Sequence, residues 1–127
     1  RPDLLIRPPR IDGSTPLARA ALGYIAANCG ICHHDGAAID TRLRLRTLGS
    51  QTTANLVDVL RSAATSWEIP SAPPAGTRFL TPGHPELSSI VVRMQSRRPS
   101  TQMPPLGTTR VDQQALDLIT RWITELR

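Results

Sequence analysis

The spacing Cys29-Gly30-Ile31-Cys32-His33 constrains this chain more than any other stretch. It reads C-x-x-C-H, the pattern that attaches a c-type haem covalently. The two thiols add across the two vinyl groups of one haem face as thioethers. Two residues between the cysteines let the backbone follow the edge of the macrocycle. The adjacent histidine then lies under the iron and binds it through an imidazole nitrogen. The expected cofactor is one haem c, held by Cys29 and Cys32, with His33 as an axial ligand.

Two other chemistries share these residue types. A thioredoxin-like redox pair follows a strand and opens a helix, whereas this pair is expected to close one. A zinc site from Cys29, Cys32, His33 and His84 is chemically reasonable as a Cys2His2 set, but the second tight ligand pair typical of such sites is missing. Both cysteines of the chain lie in the motif, which leaves none for a disulfide framework.

The 127 residues are enough for one domain. The aromatic side chains are Tyr24, Trp67, Phe79 and Trp122, a thin supply of large rings for a core unless a flat apolar cofactor fills it. The net charge is +5, and every basic residue is arginine. No run of like charge exceeds Arg97-Arg98, and few aromatics are available for base stacking, so nucleic acid is not an expected partner. Haem propionates would cancel part of the positive charge, and an arginine fork suits such a carboxylate. No apolar run is long enough for a transmembrane helix.

Residues 1–15 carry Pro2, Pro8 and Pro9 with little periodicity, and read as an extended arm or linker, with Leu4, Leu5 and Ile6 as an apolar patch against the domain. Residues 16–127 form the domain. Thr15 is the expected N-cap of a first helix from Pro16 to Asn28, with Leu17, Ala21, Tyr24, Ile25 and Asn28 at helical spacing. Gly23 within it has no evident role. Leu43 and Leu45 alternate with Arg42, Arg44 and Arg46, as in a short half-buried extended segment. Thr52 to Ala64 is a second helix candidate. Pro70, Pro73, Pro74 and Gly76 then make a loop beside Trp67, and Phe79 and Leu80 return to the core. A third helix opens at Pro85, carries Leu87, Ile90, Val91 and Met94 on one side, and ends near Arg97, Arg98 and Pro99. The last helix starts at Asp112 and buries Leu116, Ile119, Trp122, Ile123 and Leu126 against the first helix at Ala21 and Ile25. The expected fold class is all-α.

The sixth position of a histidine-bound iron has four side-chain candidates: Met103, Met94, His34 and His84. An open or water-bound site is the remaining choice. Met103 is preferred because Pro104 and Pro105 stiffen its loop. Met94 sits on an apolar stripe, where methionine usually fills core space. His34 adjoins the proximal histidine, and His84 reads as a helix-start residue.

Taken in order, the motifs extend over residues 16–127. Asn28 precedes Cys29-x-x-Cys32-His33. Pro82-Gly83-x-Pro85-Glu86-x-Ser88 opens a helix that reaches Arg93-Met94. Met103-Pro104-Pro105-Leu106-Gly107 follows, then Val111-Asp112 and a helix carrying Trp122-Ile123-x-x-Leu126. This ordered set resembles the single-haem cytochrome c domains of bacteria, within the class I cytochrome c fold. It is particularly similar to those at the C-terminal end of larger exported oxidoreductases. The resemblance implies helices packed around one haem, Cys29, Cys32, His33 and Met103 as its binding residues, and His33 and Met103 as the iron ligands. It implies a periplasmic or otherwise exported location, with a signal removed or the chain cut from a longer protein. Two features depart from the family: Asp35-Gly36-Ala37-Ala38 supplies no proline to accept the imidazole N–H of the haem histidine, and the segment from Ile39 to Phe79 is long. A nearby backbone carbonyl is expected to take that proton donor instead.

The expected function is one-electron transfer. With both axial sites filled the iron has no room for substrate, and His/Met ligation favours electron transfer. The chain is then a carrier and not an enzyme, exchanging electrons transiently with a redox protein or dehydrogenase domain. The alternative is a haem enzyme or small-ligand sensor with an open or displaceable sixth ligand.

Overall fold

A computed structural model of the chain describes residues 11, 13–34, 36–37, 43, 45, 57–58, 60, 67–70 and 77–127. The described residues are mostly helical and contain no strand, compatible with an all-α class. Helix α1 runs Pro16–Asn28, a 3-10 turn covers Pro85–Leu87, α2 runs Ser89–Gln95, and α3 runs Gln113–Glu125. Residues 1–10 of the expected arm lie outside the description, as do most of the predicted second helix and the arginines at 42, 44 and 46. Val57, Asp58 and Leu60, which are described, are helical.

Thr15 caps α1 as its sequence position implies: its side-chain oxygen accepts from the Ala18 N–H at 3.0 Å, and Pro16 follows at the first position. The buried stripe is Ala18, Ala21, Leu22 and Ile25. This is rotated from the sequence reading, for Leu17 and Tyr24 are half-buried and Asn28 is exposed. The i, i+3, i+4, i+7 rule is satisfied by either set in an alanine-rich helix, so periodicity alone does not choose between them. Helix α3 was easier to read. Asp112 Oδ1 accepts from the Ala115 N–H at 3.0 Å, and Ala115, Leu116, Ile119, Trp122 and Ile123 are buried, with Leu126 half-buried.

Helix α1 packs on α3. Ala21, Ile25, Ile119 and Ile123 are fully buried in the shared core. Tyr24 adds a polar tie, donating from its hydroxyl to Asp112 Oδ2 at 3.4 Å. Ile11 also packs on this core, with its Cγ1 facing Gly23.

The third predicted helix divides in two. Pro85 opens a 3-10 turn, Ser88 is extended, and α2 begins only at Ser89. The competing interaction is a parallel bridge between Ser88 and Arg78. The Ser89 N–H donates to Arg78 O at 3.0 Å and the Ile90 N–H to Phe79 O at 3.3 Å. Two donors at the start of α2 are thereby satisfied by neighbouring backbone, without a side-chain cap. The Ser88 hydroxyl, fully buried, instead donates to His84 O at 2.9 Å and accepts from the Thr81 N–H at 2.9 Å. Gly83, at φ 74°, turns the chain so that its N–H reaches Ile123 O at the end of α3 at 2.9 Å. Phe79 and Leu80 are buried, as expected, and α2 also contacts α3.

Two substitutions on α1 should act in opposite directions. Gly23→Ala places a methyl 4.0 Å from Ile11 Cγ1, an ordinary contact, and should raise unfolding stability by about 1 kcal/mol through helix propensity. Ala21→Leu should lower it by about 1–3 kcal/mol by overpacking the α1–α3 contact. Urea unfolding of both variants checks the stripe.

The Tyr24 hydroxyl is pushed up from 10.0 to about 12, first by burial and then by the Asp112 charge. A folded value above the unfolded one gives stability that is present below pH 10 and lost as pH climbs toward 12. Denaturant midpoints of the parent should fall across that window, and those of Tyr24→Phe should fall less.

Candidate functional site

The turn that carries the cysteines is a continuation of α1. Cys29 is its C-cap, in αR conformation, with its N–H on Ile25 O at 2.9 Å. Beyond it the Gly30 N–H donates to Ile25 O at 3.1 Å, the Cys32 N–H to Cys29 O at 3.1 Å, and the His33 N–H to Cys29 O at 2.9 Å. One helical turn thus spans Cys29 to His33. Residues i, i+3 and i+4 on such a turn share a face, so the three chemically active residues are presented together. His33 O accepts from the Leu45 N–H at 2.8 Å, which ties the turn to a fully buried core side chain.

The cysteines differ in surroundings. Cys29 is half-buried and packs on the core; Cys32 is exposed. The Cys29 thiol is pushed up to about 11, first by burial and then by Cys32 nearby. It also sits at the carbonyl end of α1, where the dipole disfavours an anion. A thiol-exchange pair needs the reverse, a thiolate stabilised at a helix N-terminus or by a cation. The structure therefore speaks against a thioredoxin-like role.

A zinc centre is not assembled either. Among the described residues no three of His, Cys, Asp and Glu are gathered within reach of one ion. His84 is exposed at the start of the 3-10 turn, with Nδ1 at 3.0 Å from Glu86 Oε1. Its own role is local: its backbone C=O receives the Ser88 hydroxyl. His34 is likewise used locally, its Nδ1 accepting from the Gly36 N–H at 3.1 Å.

Met103 lies on a loop fastened to the end of α2. That helix stops at Gln95, well before Pro99, and leaves its last carbonyls without helical donors. The loop and one side chain supply the replacements. Arg93 O accepts from the Met103 N–H at 3.0 Å, and Met94 O from Arg97 Nη2 at 3.0 Å. Arg93 Nε donates to Thr101 O at 3.0 Å, and its guanidinium lies 5.4 Å from the centre of the Trp67 ring. Gln102, buried, spans the methionine: its N–H donates to Arg98 O at 2.8 Å and its Nε2 to Pro105 O at 3.2 Å. The Met103–Pro104 peptide is cis. Met103 is half-buried, whereas Met94 is buried in the core cluster.

The residue types fit a covalently held haem: two thiols and an imidazole on one turn, and a neutral thioether on a tethered loop. The sequence reading found these four residues through the C-x-x-C-H spacing and the Met-Pro-Pro run. It missed Arg93, Ser96, Thr101 and Gln102, which hold the loop. Common polar types at irregular spacing leave no signal before the helix end is known.

In a chain with both thiols intact, iodoacetamide at pH 8 should modify the exposed Cys32 about tenfold or more faster than Cys29, because burial and a raised pKa suppress the Cys29 thiolate. Mass mapping of the alkylated peptides over time checks the order.

No family model, curated protein or solved structure matches the chain.

Proposed function

We propose that the chain is an electron-transfer domain carrying one c-type haem, attached through Cys29 and Cys32 and bound at the iron by His33 and Met103. The observation that carries the proposal is the single turn, Cys29 to His33, that sets both cysteines and the histidine at i, i+3 and i+4 at the end of a well-packed helix. The bound group would supply a metal that cycles between ferrous and ferric states. The protein's part is to hold it and set its environment.

Cys29 and Cys32 would each add S–H across a vinyl group, sulfur to carbon and hydrogen to the other carbon, with no net oxidation. They stand on a turn tied at both ends, to Ile25 and to Leu45, which would limit where the group could sit. His33 offers an imidazole nitrogen from the same turn. Met103 offers a thioether whose sulfur carries no proton and no charge, which favours the reduced state relative to an anionic ligand. Met94 fills core space, and His84 is held by Glu86. His33 and Met103 together would leave no iron position for substrate, so the proposal is a carrier, working outside the cytoplasm as exported c-type domains do.

Ile31 between the cysteines and Leu106 just past Met103 are the exposed large apolar side chains among the described residues. They offer apolar contact beside the site for a redox protein or dehydrogenase domain, in an encounter burying about 1,200 Å² or less. No helix among the described residues is long and apolar enough to cross a membrane.

The test is the visible spectrum and reduction potential of Met103→Ala beside Met94→Leu and His84→Ala, all produced with the haem-attachment machinery. Met103→Ala should lose the methionine–iron charge-transfer band and have a lower potential; the other two should keep the band. An unchanged Met103→Ala spectrum would contradict the ligand assignment. Carbon monoxide binding readily to the parent would favour the open-site alternative over the carrier.

A further inference from the structure

A ring of hydrogen bonds lies two residues before Met103. The Arg98 N–H donates to Ser96 Oγ at 3.2 Å, Ser96 Oγ and Thr101 Oγ1 are 2.6 Å apart, and Thr101 Oγ1 donates to Arg98 O at 3.4 Å. Either hydroxyl can donate across the 2.6 Å contact. With Ser96 as the donor, the Thr101 proton goes to the Arg98 carbonyl, and each hydroxyl donates once and accepts once.

Thr101 spends its backbone in the same way. Its N–H donates to Arg98 O at 2.9 Å and its C=O accepts from Arg93 Nε at 3.0 Å. All of its polar groups are thus turned onto the last turn of α2 and the residues just after it. The next two N–H groups, of Gln102 and Met103, fall on Arg98 O and Arg93 O. Met103 is thus tied directly to the helix through Arg93 O, and Thr101 adds a second attachment two residues before it, part of which its side chain supplies.

We propose that Thr101, with Ser96, is a positioning residue that holds Met103 in place as the sixth iron ligand and sets how easily an outside ligand displaces it. The proposal rests on the electron-carrier reading above. Iron–thioether bonds are weak, so the loop's own hydrogen bonds decide whether the methionine stays or swings away. A loop fastened before the ligand binds has little conformational entropy left to lose when it does. Loss of the ring would leave the backbone tethers and weaken the hold without abolishing it.

The experiment is imidazole titration of the ferric, haem-loaded protein, followed by loss of the methionine–iron band, in the parent, Thr101→Val, Thr101→Ser and Ser96→Ala. Thr101→Val preserves shape and removes the hydroxyl. Its imidazole affinity should rise about fivefold, the worth of one neutral hydrogen bond. Ser96→Ala, which breaks the same ring from its other side, should give a similar rise and serves if Thr101→Val does not accumulate. Thr101→Ser keeps the hydroxyl and should match the parent. Imidazole affinities of Thr101→Val and Ser96→Ala equal to the parent, with the methionine band present throughout, would overturn the role of the ring. A parent without covalent haem would overturn the function beneath it, a result read from the denatured protein's mass before any titration.

Discussion

The contact of α1 with α3 is the constraint on which the rest depends. Ala18, Ala21, Leu22 and Ile25 on one side meet the core that includes Leu116, Ile119, Trp122 and Ile123 on the other. Burying side chains of this size is worth about 1.5–3 kcal/mol each relative to exposure. The turn that carries the chemical residues continues this helix, with Cys29 packed on the core and His33 O bonded to the Leu45 N–H. Cys32 is exposed and His33 half-buried, and their position follows from the helix that ends at Asn28 together with the Leu45 tie. Small residues at 18 and 21 are part of this arrangement, because they let the backbones approach where large side chains would hold them apart.

The loop that carries Met103 is built on a helix that ends early. In α2 the carbonyls of Arg93 and Met94 lack helical partners, and each is satisfied by a group from the segment that follows. The Met103 N–H is one of those donors. A general need of helix ends, to pair their last carbonyls, is here met by the loop that carries the proposed iron ligand. Prolines 104 and 105 limit the loop's freedom after the methionine; hydrogen bonds from residues 96–102 limit it before. Both act before any cofactor arrives, which is where the entropy of ordering a weak ligand is best removed.

Much of this was legible in the sequence where one local force dominates. Thr15-Pro16 and Asp112 mark their helix starts because capping chemistry is local. The buried face of α3 was legible because its polar and apolar residues alternate cleanly around the helix. In α1 alanines occupy both faces, and the stripe was read one position away from where Ala18 and Leu22 place it. The break at Ser88 was not legible, because a bridge to Arg78 ten residues earlier overrides the proline-initiated helix. The same holds for the loop clamp: nothing in Ser96 or Thr101 signals a ring of hydrogen bonds until the helix end at Gln95 is known. The cysteine–histidine turn follows from spacing alone, and the reading of Met94 as core filler, made from its apolar stripe, agrees with its burial.

The central claim is that Cys29 and Cys32 carry a haem through thioether bonds. The most direct measurement is the intact mass of the protein after full denaturation and acid–acetone extraction, following production with the attachment machinery. Thioethers survive unfolding, whereas ligated metal and non-covalent haem are released. The account predicts the mass of the 13.8 kDa chain plus one haem, lost to the bare chain when both cysteines are replaced by serine. A bare-chain mass for the parent, with both thiols open to alkylation, would contradict it.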